Sequence, residues 1–131
     1  MREIIMNANA AISSYTEIQN QTRSDENAGF HVVSTALNKL EKSLDLLQTS
    51  TNSLERQKAF QASLLTLYFL QKSLDFESQG DLAINLFRLY EFCRIKVIEN
   101  GVNGSIDNHE IKKCHFFIKE ILLSWELAID Q

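Results

Sequence analysis

A chain of 131 residues suits one domain and is short for two. Thirteen Lys and Arg against seventeen Asp and Glu leave a net charge of −4, without the basic excess by which nucleic-acid binders displace counterions, so nucleic acid is not an expected partner. Apolar residues make up 44%, enough for a core, while zero prolines and four glycines supply little of the turn chemistry that a sheet protein needs, and the chain reads as all-α.

Residues 1–22 form an N-terminal segment whose 4–18 stretch is weakly amphipathic, with Ile5, Ile12, Tyr15 and Ile18, and is expected to be a short helix packing on the rest as a movable cover. It lacks a basic start and an apolar run of signal-peptide length, and the longest apolar run of the chain, 64–70, is broken by Thr66 and far below the ~20 residues of a membrane span. A cytoplasmic protein without membrane insertion is expected. The polar patch 20–29 has no large apolar residue and reads as a linker.

Residues 25–131 read as a four-helix bundle. Phe30, Val33, Leu37, Leu40, Leu44 and Leu47 step by 3 and 4, the inward seam of a bundle helix. Asn52, three before Glu55, is the expected N-cap of a second helix through Phe60, Leu64, Leu67 and Leu74. There Leu65, Tyr68, Phe69 and Leu70 also point elsewhere, so the middle of that helix is apolar nearly all round. After a break at 76–80, Leu82, Leu86, Leu89, Cys93 and Val97 make a third seam, and Ile84, Phe87, Ile95 and Ile98 a second row interrupted by Glu91. Asn100-Gly101 and Asn103-Gly104 stop the chain as left-handed C-caps, and Asp107 has capping-box spacing to Glu110. The last helix carries Ile111, Cys114, Ile118, Ile121, Leu122, Trp125 and Ile129 on one face, and Phe116, Leu123 and Leu127 on another. Short connections favour an antiparallel up-down-up-down order.

Chemistry is sparsely represented. No Glu has a His three residues on, as a di-iron bundle requires. His109 has Lys112 at phosphotransfer spacing, but Lys113 follows where a small residue is wanted. Cys93 and Cys114 fall on core seams, and Cys114 and His115 diverge by ~100° on a helix, so neither a structural disulfide nor a metal is expected. No catalytic residue and no cofactor are assigned, and the chain is not read as an enzyme. What exceeds the needs of a small bundle is the second apolar row on three helices, which marks either a partner site or burial against the N-terminal segment.

The run Leu74-Asp75-Phe76-Glu77, Gly80-Asp81-Leu82-Ala83-Ile84-Asn85-Leu86 and Leu89-Tyr90-Glu91-Phe92, with Arg94 and Lys96 behind, resembles the central signature of the FliS family of flagellar secretion chaperones. Ile12-x-x-Tyr15, Thr22-x-Ser24, Ala36-Leu37-x-x-Leu40 and Trp125 are similar to its other landmarks, while Asp25 replaces a family Pro and 31–35 departs from the family run, as in a diverged member. The resemblance implies a cytosolic bundle that binds the disordered C-terminal region of flagellin before type III export. It implies no catalysis, with the flagellar export gate as a second partner and a homodimer left open. The residues assigned to flagellin are Ile12, Tyr15, Ile18, Leu82, Leu86, Leu89 and Tyr90. The rival readings are a histidine phosphotransfer protein using His109 or His115, and a structural homo-oligomeric bundle.

Overall fold

A computed structural model describes residues 24–101, 106 and 108–129 of the chain. The expected N-terminal cover over 4–18, with Ile12, Tyr15 and Ile18, lies outside these residues. All regular structure among the described residues is helical, in five elements: α1 (Ser24–Thr49), α2 (Ser53–Lys72), α3 (Phe76–Gln79), α4 (Asp81–Asn100) and α5 (His109–Ile129). None is long and apolar enough to cross a membrane.

The helix ends follow from local chemistry, with four differences from the sequence expectation. α1 spans Ser24–Thr49, so residues 24–29 are helical where a linker is expected. Asn52 caps α2 as expected, its Oδ1 accepting from the Glu55 N–H at 2.8 Å. The break at 76–80 contains a fifth helix, the single turn α3, capped by Asp75 Oδ1 on the N–H groups of Glu77 and Ser78, both at 3.1 Å. Hydrogen bonds from Ser78 and Glu77 lower the pKa of the Asp75 carboxyl, with Ser78 the larger cause. Gly80 then turns the chain with φ +53°, open space around it, so it is glycine for its backbone angle. Gly101 departs from the expected left-handed cap: its φ is −69°. A Cβ there would stand 2.8 Å from the Phe60 ring, so close approach is what requires glycine. α5 is capped by Asn108, one residue after the Asp107 that the spacing predicts: its Oδ1 accepts from the N–H groups of Glu110 and Ile111 at 3.0 and 3.1 Å.

α1 packs on α2 and α5, and α4 packs on the other side of α2 and α5, with α3 lying on α4. Leu37, Leu40, Leu44 and Leu47 of α1 are fully buried, as are Leu67 and Leu70, Leu89, Cys93 and Val97, and Cys114, Ile118 and Ile121. One end is tied by Arg56, a buried cation at the start of α2. Its guanidinium donates to the carbonyls of Leu47 at 2.6 Å and Gly101 at 2.7 Å, and more weakly to Ser50 at 3.4 Å. The carbonyls at the ends of α1 and α4, where bonding within the helix runs out, thereby gain a charged donor. At the other end, Val33, Leu74, Leu86, Tyr90 and Trp125 enclose a cavity of about 20 Å³.

Candidate functional site

The surface of α2 carries the excess. Ala59, Ser63, Leu67 and Leu70 face inward, and a single inward stripe would satisfy the core. On the opposite side Leu65 is 70% exposed, Tyr68 58% and Phe69 40%. Leaving such side chains in water forgoes about 25 cal/mol for each Å² of apolar area. They make α2 a ridge between two grooves.

The first groove, about 410 Å³, lies between α1 and α2 and is lined by the apolar Val32, Ala36, Leu65 and Phe69, with His31, Thr35 and Lys39 of α1 and Thr66 of α2 as its polar lining. His31 is exposed, as its place beside Phe30 predicts. The second, about 390 Å³, is bounded by Tyr68, Gln71 and Lys72 of α2, Leu74, Phe76 of α3 and Phe87 of α4. Phe76 and Phe87 meet edge to face with centroids 5.9 Å apart, and the Lys72 ammonium sits 5.4 Å from the Tyr68 ring centre. Each groove is open and lined mainly by apolar side chains with one lysine, a surface that can accept the apolar face of an amphipathic helix.

Along α4 the exposed row Ile84, Phe87, Ile95 and Ile98 is present as the spacing predicts. Glu91, which interrupts it, is a tie between helices. Gln71 of α2 donates to its Oε2 at 2.8 Å, and Arg94 donates through Nε at 2.9 Å and Nη2 at 2.5 Å. The Arg94 hydrogen bond, then that of Gln71, holds the Glu91 carboxyl down at about 2.

Of the seven residues that the sequence assigns to binding, the four that are described, Leu82, Leu86, Leu89 and Tyr90, line neither groove. Leu89 and Tyr90 are core residues, Leu86 is buried, and Leu82 is partly buried against the core. Burial raises the pKa of the Tyr90 hydroxyl. A helical seam that steps by 3 and 4 toward the core cannot also face a ligand, so α4 offers the alternate row instead. Ile12, Tyr15 and Ile18 lie outside the described residues. The contribution of α1 to the first groove, Val32 and Ala36, has no signal in a single-helix pattern, whereas Leu65, Tyr68 and Phe69 are visible as apolar residues off the seam.

The candidate chemical groups are separated. His109 is exposed in the first turn of α5, next to the cap. His115 meets Glu41 of α1 at 2.9 Å. Cys93 and Cys114 are buried free thiols; their mutual hydrogen bond, then burial, raises the pKa of Cys93. Among the described residues no three His, Cys, Asp or Glu side chains gather as a metal site. Among families of known proteins, the pattern described as flagellar protein FliS matches residues 7–131. No curated protein and no solved structure matches the chain.

Proposed function

Since the chain belongs to the FliS family of flagellar proteins, we propose that it is a cytoplasmic export chaperone that binds the disordered C-terminal region of flagellin, prevents premature polymerisation and hands the client to the flagellar export gate. The observation that carries this reading is the apolar ridge of α2 with a groove on each side. A segment that polymerises through amphipathic helices exposes apolar faces when alone, and two grooves sharing one ridge can cover successive turns of it. No catalytic group is needed. The helix contacts support an antiparallel up-down-up-down four-helix bundle with α3 as an added turn: Arg56 at the start of α2 meets the end of α4, and Val33 near the start of α1 meets Trp125 near the end of α5.

Calorimetry with a flagellin C-terminal peptide tests the reading. Binding is expected with negative ΔCp and a gain of helix, because apolar area is buried as the peptide folds. Leu65→Ser with Phe69→Ser is expected to weaken it by at least about thirtyfold, the effect of removing two anchors at the centre of an interface, with the fold retained because both side chains face water. No heat with the native protein, or unchanged affinity in the double variant, overturns the assignment.

A further inference from the structure

α5 opens with a patch unlike either groove of α2. His109, Lys112, Lys113 and Phe116 recur at steps of 3 and 4 on one exposed face of its first turns, and with the buried Phe117 they line a hollow of about 180 Å³. The hollow is less than half the volume of either groove and suits a single side chain rather than a helix. Its wall is aromatic and braced. Phe116, 54% exposed, stands edge-on to Phe117 with ring centres 5.9 Å apart, and Phe117 in turn lies 6.1 Å from Phe92 of α4, so a surface ring is supported from the core. The charge beside it is uncompensated. Glu110, the acid of the first turn, is engaged by Lys96 of α4 at 3.7 Å, and among the described residues neither Lys112 nor Lys113 has a carboxylate within 4.0 Å. Being adjacent on a helix, the two lysines diverge by ~100° and bracket the line of Phe116. Glu120, one turn further on, ends the basic patch.

Two cations on either side of an apolar hollow are complementary to an apolar side chain between two carboxylates. We infer that the start of α5 is a docking site for an acidic segment of another protein, bound in extended form across the helix, with an aromatic side chain in the hollow and Asp or Glu two residues to each side. In an extended chain, residues i and i+2 point the same way about 7 Å apart, a spacing that flexible lysine stems meet on both flanks. Packing of the aromatic group against Phe116 sets the register, and the lysines select the sign of the partner and speed its encounter. The N-terminal segment of this chain does not match, because residues 1–23 carry two Arg against two Glu. A second copy meeting this patch with its own would set lysine against lysine. Two lysines between Glu110 and Glu120, in a chain of net charge −4, are too few to hold nucleic acid. α5 lines neither α2 groove, so this site and the client site can be filled together, and the inference does not rest on the client reading.

An NMR titration of the full-length, nitrogen-15-labelled protein with the peptide acetyl-Gly-Glu-Ser-Phe-Ser-Glu-Gly-amide tests the inference. Amide signals of Lys112, Lys113 and Phe116 are expected to shift with a Kd of roughly 0.1 to 1 mM, and those of Leu65 and Phe69 to stay in place. Raising NaCl from about 50 to about 300 mM should weaken binding several-fold, because the lysines are exposed. Lys112→Glu/Lys113→Glu should weaken it by about tenfold or more, whereas Lys112→Arg/Lys113→Arg keeps it within about twofold. Phe116→Ser, or a peptide with Ser in place of its Phe, should weaken it by about fivefold or more. Circular dichroism checks that each variant keeps the native fold, as the exposed positions predict. No shifts at about 2 mM peptide, or shifts centred on the α2 grooves, overturn the proposal. Equal binding by Phe116→Ser or by the peptide lacking Phe also overturns it, since charge alone would then account for the contact. So does tighter binding, through the same lysines, of a single-stranded oligonucleotide or of phosphatidylglycerol vesicles.

Discussion

Replacing Arg56 by methionine tests whether one buried cation holds an end of the fold. The guanidinium makes two short hydrogen bonds, 2.6 Å to the Leu47 carbonyl and 2.7 Å to that of Gly101, besides the longer one to Ser50. Hydrogen bonds from a charged donor contribute about 1.5 to 3 kcal/mol each, so the two short ones together are worth about 3 to 6 kcal/mol. Methionine keeps much of the stem packing but supplies no donor, and the carbonyls ending α1 and α4 are left to whatever water can reach them. Part of the loss is offset because no charge has to be desolvated, and the net cost expected is about 3 kcal/mol. For a chain of this length that lowers Tm by about 10 °C. Urea unfolding followed by circular dichroism should show the midpoint falling with the slope unchanged. Arg56→Lys, with a point charge in place of a planar fork, should fall between the two. A loss below about 1 kcal/mol in Arg56→Met would mean that the carbonyls find water at no cost, and the clamp argument would be refuted. The grooves lie away from this end, so Arg56→Met is expected to bind the flagellin peptide normally well below its Tm.

Glu91 should make the fold acid-sensitive. Its carboxyl is held at about 2 against an ordinary 4.5, so its stabilisation is complete above pH 4.5 and is lost as pH falls toward 2. With its side chain 30% exposed and that of Arg94 39%, about 1 kcal/mol is expected after solvent screening, and Glu91→Gln should flatten the acid limb of a urea-midpoint profile. Cys93→Ala and Cys114→Ala should each cost about 1 to 2 kcal/mol, and the double variant less than their sum because the thiols share a contact. Stoichiometric zinc in the native protein, lost in either variant, would contradict the packing role.

Most of the fold was legible because helices are local objects. The steps of 3 and 4 through Leu37, Leu40, Leu44 and Leu47 predict a buried face whatever lies against it, and all four are fully buried. Asn52 is legible as a cap because its partner, Glu55, is three residues away. Membership of the FliS family was legible in 74–96, and the match over 7–131 bears it out. The site was less so. Leu86, Leu89 and Tyr90 belong to the signature, yet the structure sets Leu89 and Tyr90 in the core and turns Glu91 to Gln71 of another helix. A motif records which residues occur together without distinguishing those that hold the fold from those that touch a ligand.

The sequence alone established helical phase, and phase says only that Leu65, Tyr68 and Phe69 leave the α2 seam. Whether they are covered depends on the neighbouring helix, and only the packing of α1 shows that Val32 and Ala36 widen this surface into a groove rather than closing it. The same holds for Gly101, which the sequence reads as a left-handed helix cap, and for Arg56, on which no sequence pattern bears. Their roles arise from groups 41 and 45 residues away, the Phe60 ring and the Gly101 carbonyl, and no local pattern carries a contact made across the fold.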